Sequence, residues 1–191
     1  MTRSLVALAL LPALLAGCGG SSSSSTPLNP NAKESSPPGD IPDNQAYVAY
    51  SPPGADYSVK VPEGWARTRA AGAVTFTDKL NAITMQERAA AGAPSVAAAK
   101  RTELASLRRA VKGFEPGSVS VVRRTSGPAV RITYLAAGRP DPVTGKTHVD
   151  AVERYLFGHK GKRVTLTLSG PKGADNVDPW RLVTDSLRWS R

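Results

Sequence analysis

Few residues of this chain are of the types that catalysis or metal binding needs, and their spacing mostly defeats them. Among 191 residues there are two histidines, His148 and His159, and one cysteine, Cys18. The histidines fall at opposite ends of one predicted strand, ~35 Å apart if it runs straight. With no second thiol, a zinc ligand set does not assemble. His148, Asp150 and Glu153, with Asp141 nearby, have the types of a general acid–base group. Strict alternation along a strand sends Asp150 and Glu153 to opposite faces, so they read as surface charge. No Gly-x-Ser-x-Gly turn offers a serine nucleophile. Gly145-Lys146-Thr147 ends like a phosphate-cradling loop, but the position where that loop needs its first glycine is Pro140. The residues after Thr147 alternate like a strand, where the motif needs a helix N-terminus. No catalytic, metal or cofactor-binding residue is expected.

The remaining chemistry is that of the thiol. Cys18 follows a basic Arg3 and an apolar run from Leu5 to Leu15. That run is roughly 11 residues, well short of the ~20 needed to cross a bilayer, and has the proportions of a signal peptide. Leu15-Ala16-Gly17-Cys18 resembles a bacterial lipobox. The resemblance implies that the sulfur receives a diacylglycerol, that residues 1–17 are cut away, and that the new amine takes a fatty acid of the palmitate kind. Two or three acyl chains hold a protein durably on a membrane, whereas one alone is marginal. The expectation is a lipid-anchored protein on the extracytoplasmic face of the cell membrane, with neither free thiol nor disulfide in its mature form.

From Cys18 to Ala46, Ser, Pro, Gly and Asn dominate and the few apolar residues show no period. Such a segment cannot offset its ordering entropy and is expected to be a disordered spacer reaching roughly 30 Å. Residues 47–191 then make one globular domain, large enough to bury a core without staples. Formal charge is +10 and the pI about 10.1. The excess suits an anionic membrane surface or wall polymer, or simply a soluble basic surface. Nucleic acid is not an expected partner, because the aromatic interleaving that stacks bases is absent. A monomer is expected.

The strand pattern is most regular in "YSVKV", where Tyr57, Val59 and Val61 alternate with polar residues. Pro62 ends that strand, and Glu63-Gly64 turns Trp65 back. "AVTFTD" and "AITMQER" continue the alternation, and the three together read as an antiparallel meander. The period then changes. Ser95 is a suitable N-cap, and Ala97, Leu104, Leu107, Val111 and Phe114 make one apolar face of a helix of ~18 residues. Gly113 is its expected stop. Arg101, Arg108 and Lys112, with Arg109 beside them, lie on the opposite side. They could grip anionic headgroups or wall phosphates, and a solvated helix face accounts for them equally well. Strands return at "SVSVVRR", "VRITYLA", "HVDAVERYLF" and "KRVTLTLSG". Asp178 as N-cap and Pro179 at the first helical position open a last helix with Trp180, Val183 and Leu187 on its apolar face.

Strands, helix, strands and a C-terminal helix, opened by "YSVKVPEGW" and closed by "DPWRLVTDSLR", resemble the Mog1/PsbP-like fold, and more narrowly bacterial lipoproteins of the LpqN type. The residues that carry the resemblance are Tyr57, Val59, Val61, Pro62, Gly64 and Trp65 in front, and Trp180, Val183, Ser186 and Leu187 behind. It implies an α+β domain, an antiparallel β-sheet flanked by helices in an α/β/α sandwich. It also implies a non-catalytic binding or assembly role at the cell envelope, not an enzyme. Two alternatives stand beside it: a carrier of a small apolar or lipid ligand, with its cavity between sheet and long helix, and a hydrolase of envelope polymers. An envelope protein or an anionic wall polymer is the expected partner.

Overall fold

Alternating apolar and polar residues build most of the structure. The computed structural model describes residues 39–140 and 145–190. Its strands are β1 (Tyr47–Tyr50), β2 (Tyr57–Pro62), β3 (Ala66–Ala70), β4 (Ala73–Asp78), β5 (Asn81–Ala89), β6 (Glu115–Arg124), β7 (Gly127–Ala137), β8 (Val149–His159), β9 (Lys162–Pro171) and β10 (Arg188–Trp189). Seven form one antiparallel sheet in the order β3-β4-β5-β9-β8-β7-β6. The other three form a small sheet with β2 in the middle. Ala71-Gly72 and Lys160-Gly161 take positive φ at both turn positions, the hairpin geometry whose twist matches that of the flanking strands.

Each face of the large sheet has its own core. On one face Phe76, Ile83, Met85, Phe157, Val164, Leu166 and Leu168 pack against Tyr57, Val59 and Val61 of the small sheet. Trp180, Val183 and Leu187, on or just after helix α2 (Val177–Asp185), complete that core. On the other face Val130, Ile132, Tyr134, Val152 and Leu156 lie under helix α1. That helix runs through Val96–Ala98, a π-helical turn at Ala99–Glu103, and Leu104–Ala110. Helix, sheet, then helix with small sheet make the expected α+β sandwich. Among the described residues, the buried members of both cores run from Ile41 to Leu187, with Trp189 packed against the first.

Several details differ from the sequence reading. β2 does not join β4 and β5; the meander is β3-β4-β5, and β2 pairs with β1 and β10. Ala97 is exposed and Ala99 is buried instead. The π turn causes this: Leu104 N–H donates to Ala99 C=O, five residues back, which inserts an extra residue into the period and moves the inward face by one step. Thr102 Oγ1 donates to Ala98 C=O at 2.8 Å in the same turn. Gly113 does take a left-handed φ of +65°, two residues beyond the cap at Val111. Asp178 is not the cap of α2. Asn176 is, and its amide is used elsewhere: Oδ1 accepts from Ile41 N–H, and Nδ2 donates to Gly39 C=O and to Asn81 Oδ1. That cluster ties down Gly39–Ile41, and Ile41 is buried in the core. The ordered domain therefore begins at least as early as Gly39, ahead of the expected boundary at Tyr47.

Candidate binding hollow and basic helix face

The small sheet and α2 do not cover all of the sheet face they pack on. Towards β6, β7 and β8 two adjoining hollows remain, of about 330 and 440 Å³, which share Ala151, Glu153 and Trp180. The smaller is mostly apolar, with Pro116, Leu135, Ala151 and Trp180 in its wall. The larger is lined by Arg124, Arg131, Tyr155 and Arg181. Alternation places these side chains: Arg131 and Thr133 on β7, and Glu153 and Tyr155 on β8, fall on the strand side opposite α1. A bulge in β6 between Pro116 and Val119 bends the edge strand here. At Gly117 an added Cβ would lie 2.4 Å from Thr133 Oγ1, so only glycine fits.

The polar groups of the hollow are already paired with each other. Arg124 Nε donates to Thr184 Oγ1 at 2.9 Å, and Nη2 donates to the Tyr155 hydroxyl at 3.0 Å. The same guanidinium sits 5.1 Å from the centre of the Tyr155 ring. Tyr155 donates in turn to Glu153 Oε2, and Arg131 Nη1 donates to Glu153 Oε1 at 3.2 Å. Burial, then the hydrogen bond and charge of Glu153, push the Tyr155 phenol upward, with Arg124 pulling the other way. The phenol therefore stays a neutral donor. What remains unpaired is a pair of buried donors, Arg131 Nε and the indole N–H of Trp180, and Trp180 is only 8% exposed.

The basic residues singled out in the sequence lie on the other side of the sheet, on α1 except for Lys112, which follows the cap at Val111. Arg101, Arg108, Arg109 and Lys112 are all exposed, as is Lys100. The one acid of this helix, Glu103, turns inward. It pairs with Arg154 at 3.4 Å and Arg163 at 3.5 Å across a polar hollow of about 360 Å³. Among the described residues no ion pair reaches the five outward cations. Beside this polar hollow, Leu107, Val130, Ile132 and Leu156 fill the interface between sheet and helix. Among the described residues that interface is packed and not hollow, and the apolar hollow lies on the opposite face.

The acid–base candidates separate as alternation requires. His148 Nε2 lies 2.8 Å from Asp150 Oδ1, an electrostatic contact without hydrogen-bond direction for either buried atom. Burial raises the Asp150 carboxyl above its ordinary value, opposed by His148 and Arg139. Glu153 is on the other face of β8 with Arg131 and Tyr155, and His159 stacks on Trp189 at 5.0 Å. Among the described residues no three His, Cys, Asp or Glu side chains converge on a metal position, and no helix is long and apolar enough to cross a membrane. Gly145 leads into β8, not into a helix. Asp141 and Cys18 lie outside the described residues. The binding hollow itself has no linear signature, because its lining is divided among β6, β7, β8 and α2, which are brought together only by the fold.

No family model matches the chain, and no curated protein matches it in sequence. Its fold does have solved counterparts. The cyanobacterial PsbP of Synechocystis superposes with a TM-score of 0.54 at 13% identity, over 76% of this chain and 93% of that one. A Bacteroides thetaiotaomicron protein gives a TM-score of 0.50 at 15% identity over 75% of this chain, which spans about half (48%) of that protein's length. LpqN, a Mycobacterium tuberculosis protein involved in cell envelope biogenesis, gives 0.42 at 13% identity over 77% of this chain and 91% of that one.

Proposed function

We propose that this Mog1/PsbP-like domain is a non-catalytic binding or assembly module, anchored outside the cytoplasm through an acylated Cys18 and recognising its partner with the hollow between α2 and strands β6–β8. The observation that carries the reading is the state of the polar groups in that hollow. Arg124, Arg131, Glu153 and Tyr155 hold one another in place before any ligand arrives, which lowers the ordering cost of binding. Both Glu153 oxygens accept hydrogen bonds within the hollow, from Arg131 and from the neutral Tyr155 phenol. The unpaired groups are donors, Trp180 Nε1 and Arg131 Nε. A partner that offers carbonyl or carboxylate oxygens satisfies them. A protein of the envelope supplies such oxygens.

The volume and apolar wall of the smaller hollow favour a second reading, a carrier of a small apolar ligand. At about 330 Å³ it lies at the lower end of ordinary ligand sites, and the ligand would sit beside Trp180 instead of under α1. The envelope address rests on the lipobox. Growth with a fatty-acid analogue tests it: the wild-type protein takes up label and sediments with membranes, whereas Cys18→Ser loses both. An unlabelled wild-type chain in the cytosol, still carrying residues 1–17, contradicts the anchored reading.

A further inference from the structure

Every exposed charge on α1 and just past its end is positive. Lys100, Arg101, Arg108, Arg109 and Lys112 are exposed, and the helix's only acid is turned under it to Arg154 and Arg163. An ordinary solvated helix intersperses acids with its bases, since pairs three or four residues apart stabilise it; here the single acid pairs beneath the helix with Arg154 and Arg163. The opposite pole of the domain is mixed. There Asp185 faces Arg124 and Arg181, and Asp40 accepts from Asp175 N–H.

We infer that α1 lies flat on the anionic headgroups of the bilayer, so that the recognition hollow, on the other face of the sheet, is turned away from the membrane. The inference rests on the anchored reading for its biological setting, since the tether is what keeps α1 within reach of a bilayer. Twenty residues separate Cys18 from Gly39, a covalent reach of up to ~70 Å. That is comparable with half the circumference, roughly 60 Å, of a compact domain of this size, whose first described residues join on the α2 side, at Asn176. Attraction of basic side chains to an anionic surface raises partitioning by about fivefold per residue and fades beyond a Debye length of ~8 Å in physiological salt.

The test uses a chain from Gly19 to Arg191, which keeps both cores and has neither leader nor Cys18, so its outcome is independent of acylation. Vesicles carry phosphatidylglycerol and phosphatidylcholine in a 3:7 ratio. The chain should co-sediment in 50 mM salt, release in 500 mM salt, and ignore vesicles of phosphatidylcholine alone. Replacing Arg101, Arg108, Arg109 and Lys112 together with Gln should weaken binding at least tenfold. Replacing exposed Lys60, Lys79, Lys160 and Lys172 with Gln removes the same charge elsewhere and should weaken it less than threefold. Because the chain has no cysteine, single labels report orientation: a fluorophore at Ala110→Cys should be quenched by nitroxide lipid, and one at Val177→Cys should not. Equal loss in the two quadruple variants, quenching at both labels, or no vesicle binding at low salt would overturn the inference. Binding to an anionic wall polymer without binding to vesicles would overturn it too. Loss of fatty-acid labelling at Cys18 would instead remove the anchored reading and leave the vesicle result standing.

Discussion

Replacing Glu103 with Gln should cost the domain about 2 kcal/mol. The carboxylate is 20% exposed and sits 3.4 Å from Arg154 and 3.5 Å from Arg163, themselves 24% and 26% exposed. A unit-charge pair at ~4 Å in an effective dielectric near 20 attracts by about 4 kcal/mol before other costs. Desolvation and side-chain ordering cancel most of that, and removal of one partner from a fully buried pair costs about 3–5 kcal/mol. Partial exposure lowers the figure, as does the second anchor of Arg154, whose Nη1 donates to Thr167 Oγ1 at 3.1 Å. Against this, the substitution leaves two guanidinium groups facing each other without the carboxylate that balances them. Gln keeps the shape, so the loss reports charge and not packing. Urea unfolding followed by circular dichroism should show a lower midpoint at unchanged slope, and melting should fall by roughly 6 °C. A loss below 0.5 kcal/mol, or a difference that disappears in 1 M salt, would mean that Glu103 is a screened surface acid. The physical reason given for the purely cationic exterior of α1 would then be wrong.

Other consequences are local. Asp150→Asn should stabilise the domain at pH 7: burial raises the carboxyl's folded pKa above its ordinary 3.8, so proton binding favours the folded state and the ionised form weakens it. The advantage over wild type should shrink as pH falls through the folded value and be gone below ~3.8; midpoints at pH 7 and 3.5 check this. Gly170→Ala should cost about 3 kcal/mol in chemical unfolding, because its Cβ would lie 2.3 Å from Asn81 Oδ1 and 2.9 Å from Asn176 Nδ2, breaking a buried polar cluster. Tyr155→Phe leaves Arg124 and Glu153 each short of one partner and should lower stability by about 1–2 kcal/mol in a thermal melt.

How much of this the sequence shows depends on burial. β2, β4, β5 and β7–β9 are half-buried, so their alternation is visible, and Val164, Leu166 and Leu168 point inward as read. β3 is exposed along its whole length and consists of ARTRA, with no apolar period to detect; it exists because β4 offers it an edge. β1 and β10 are short strands placed by pairing with β2. The π turn escapes a reading that assumes a constant helical period, which is why Ala97 and Ala99 exchange places. Ile41 is a lone apolar residue among Pro, Gly and Asp, and its burial depends on Asn81 and Asn176, far along the chain. The cationic face of α1 is written in consecutive residues and could be named in advance. The direction Glu103 takes could not, because it depends on Arg154 and Arg163 meeting it from two strands.

Recognition through the hollow is tested most directly by photo-crosslinking in intact cells. A photoreactive residue in place of Thr133, in the wall of the smaller hollow, should give one discrete adduct that vanishes when Trp180→Phe and Arg131→Gln are combined in a chain that still folds. The same probe in place of Ser106 on α1 should not give that adduct. No adduct from Thr133, or the same adduct from both positions, would contradict binding at this face.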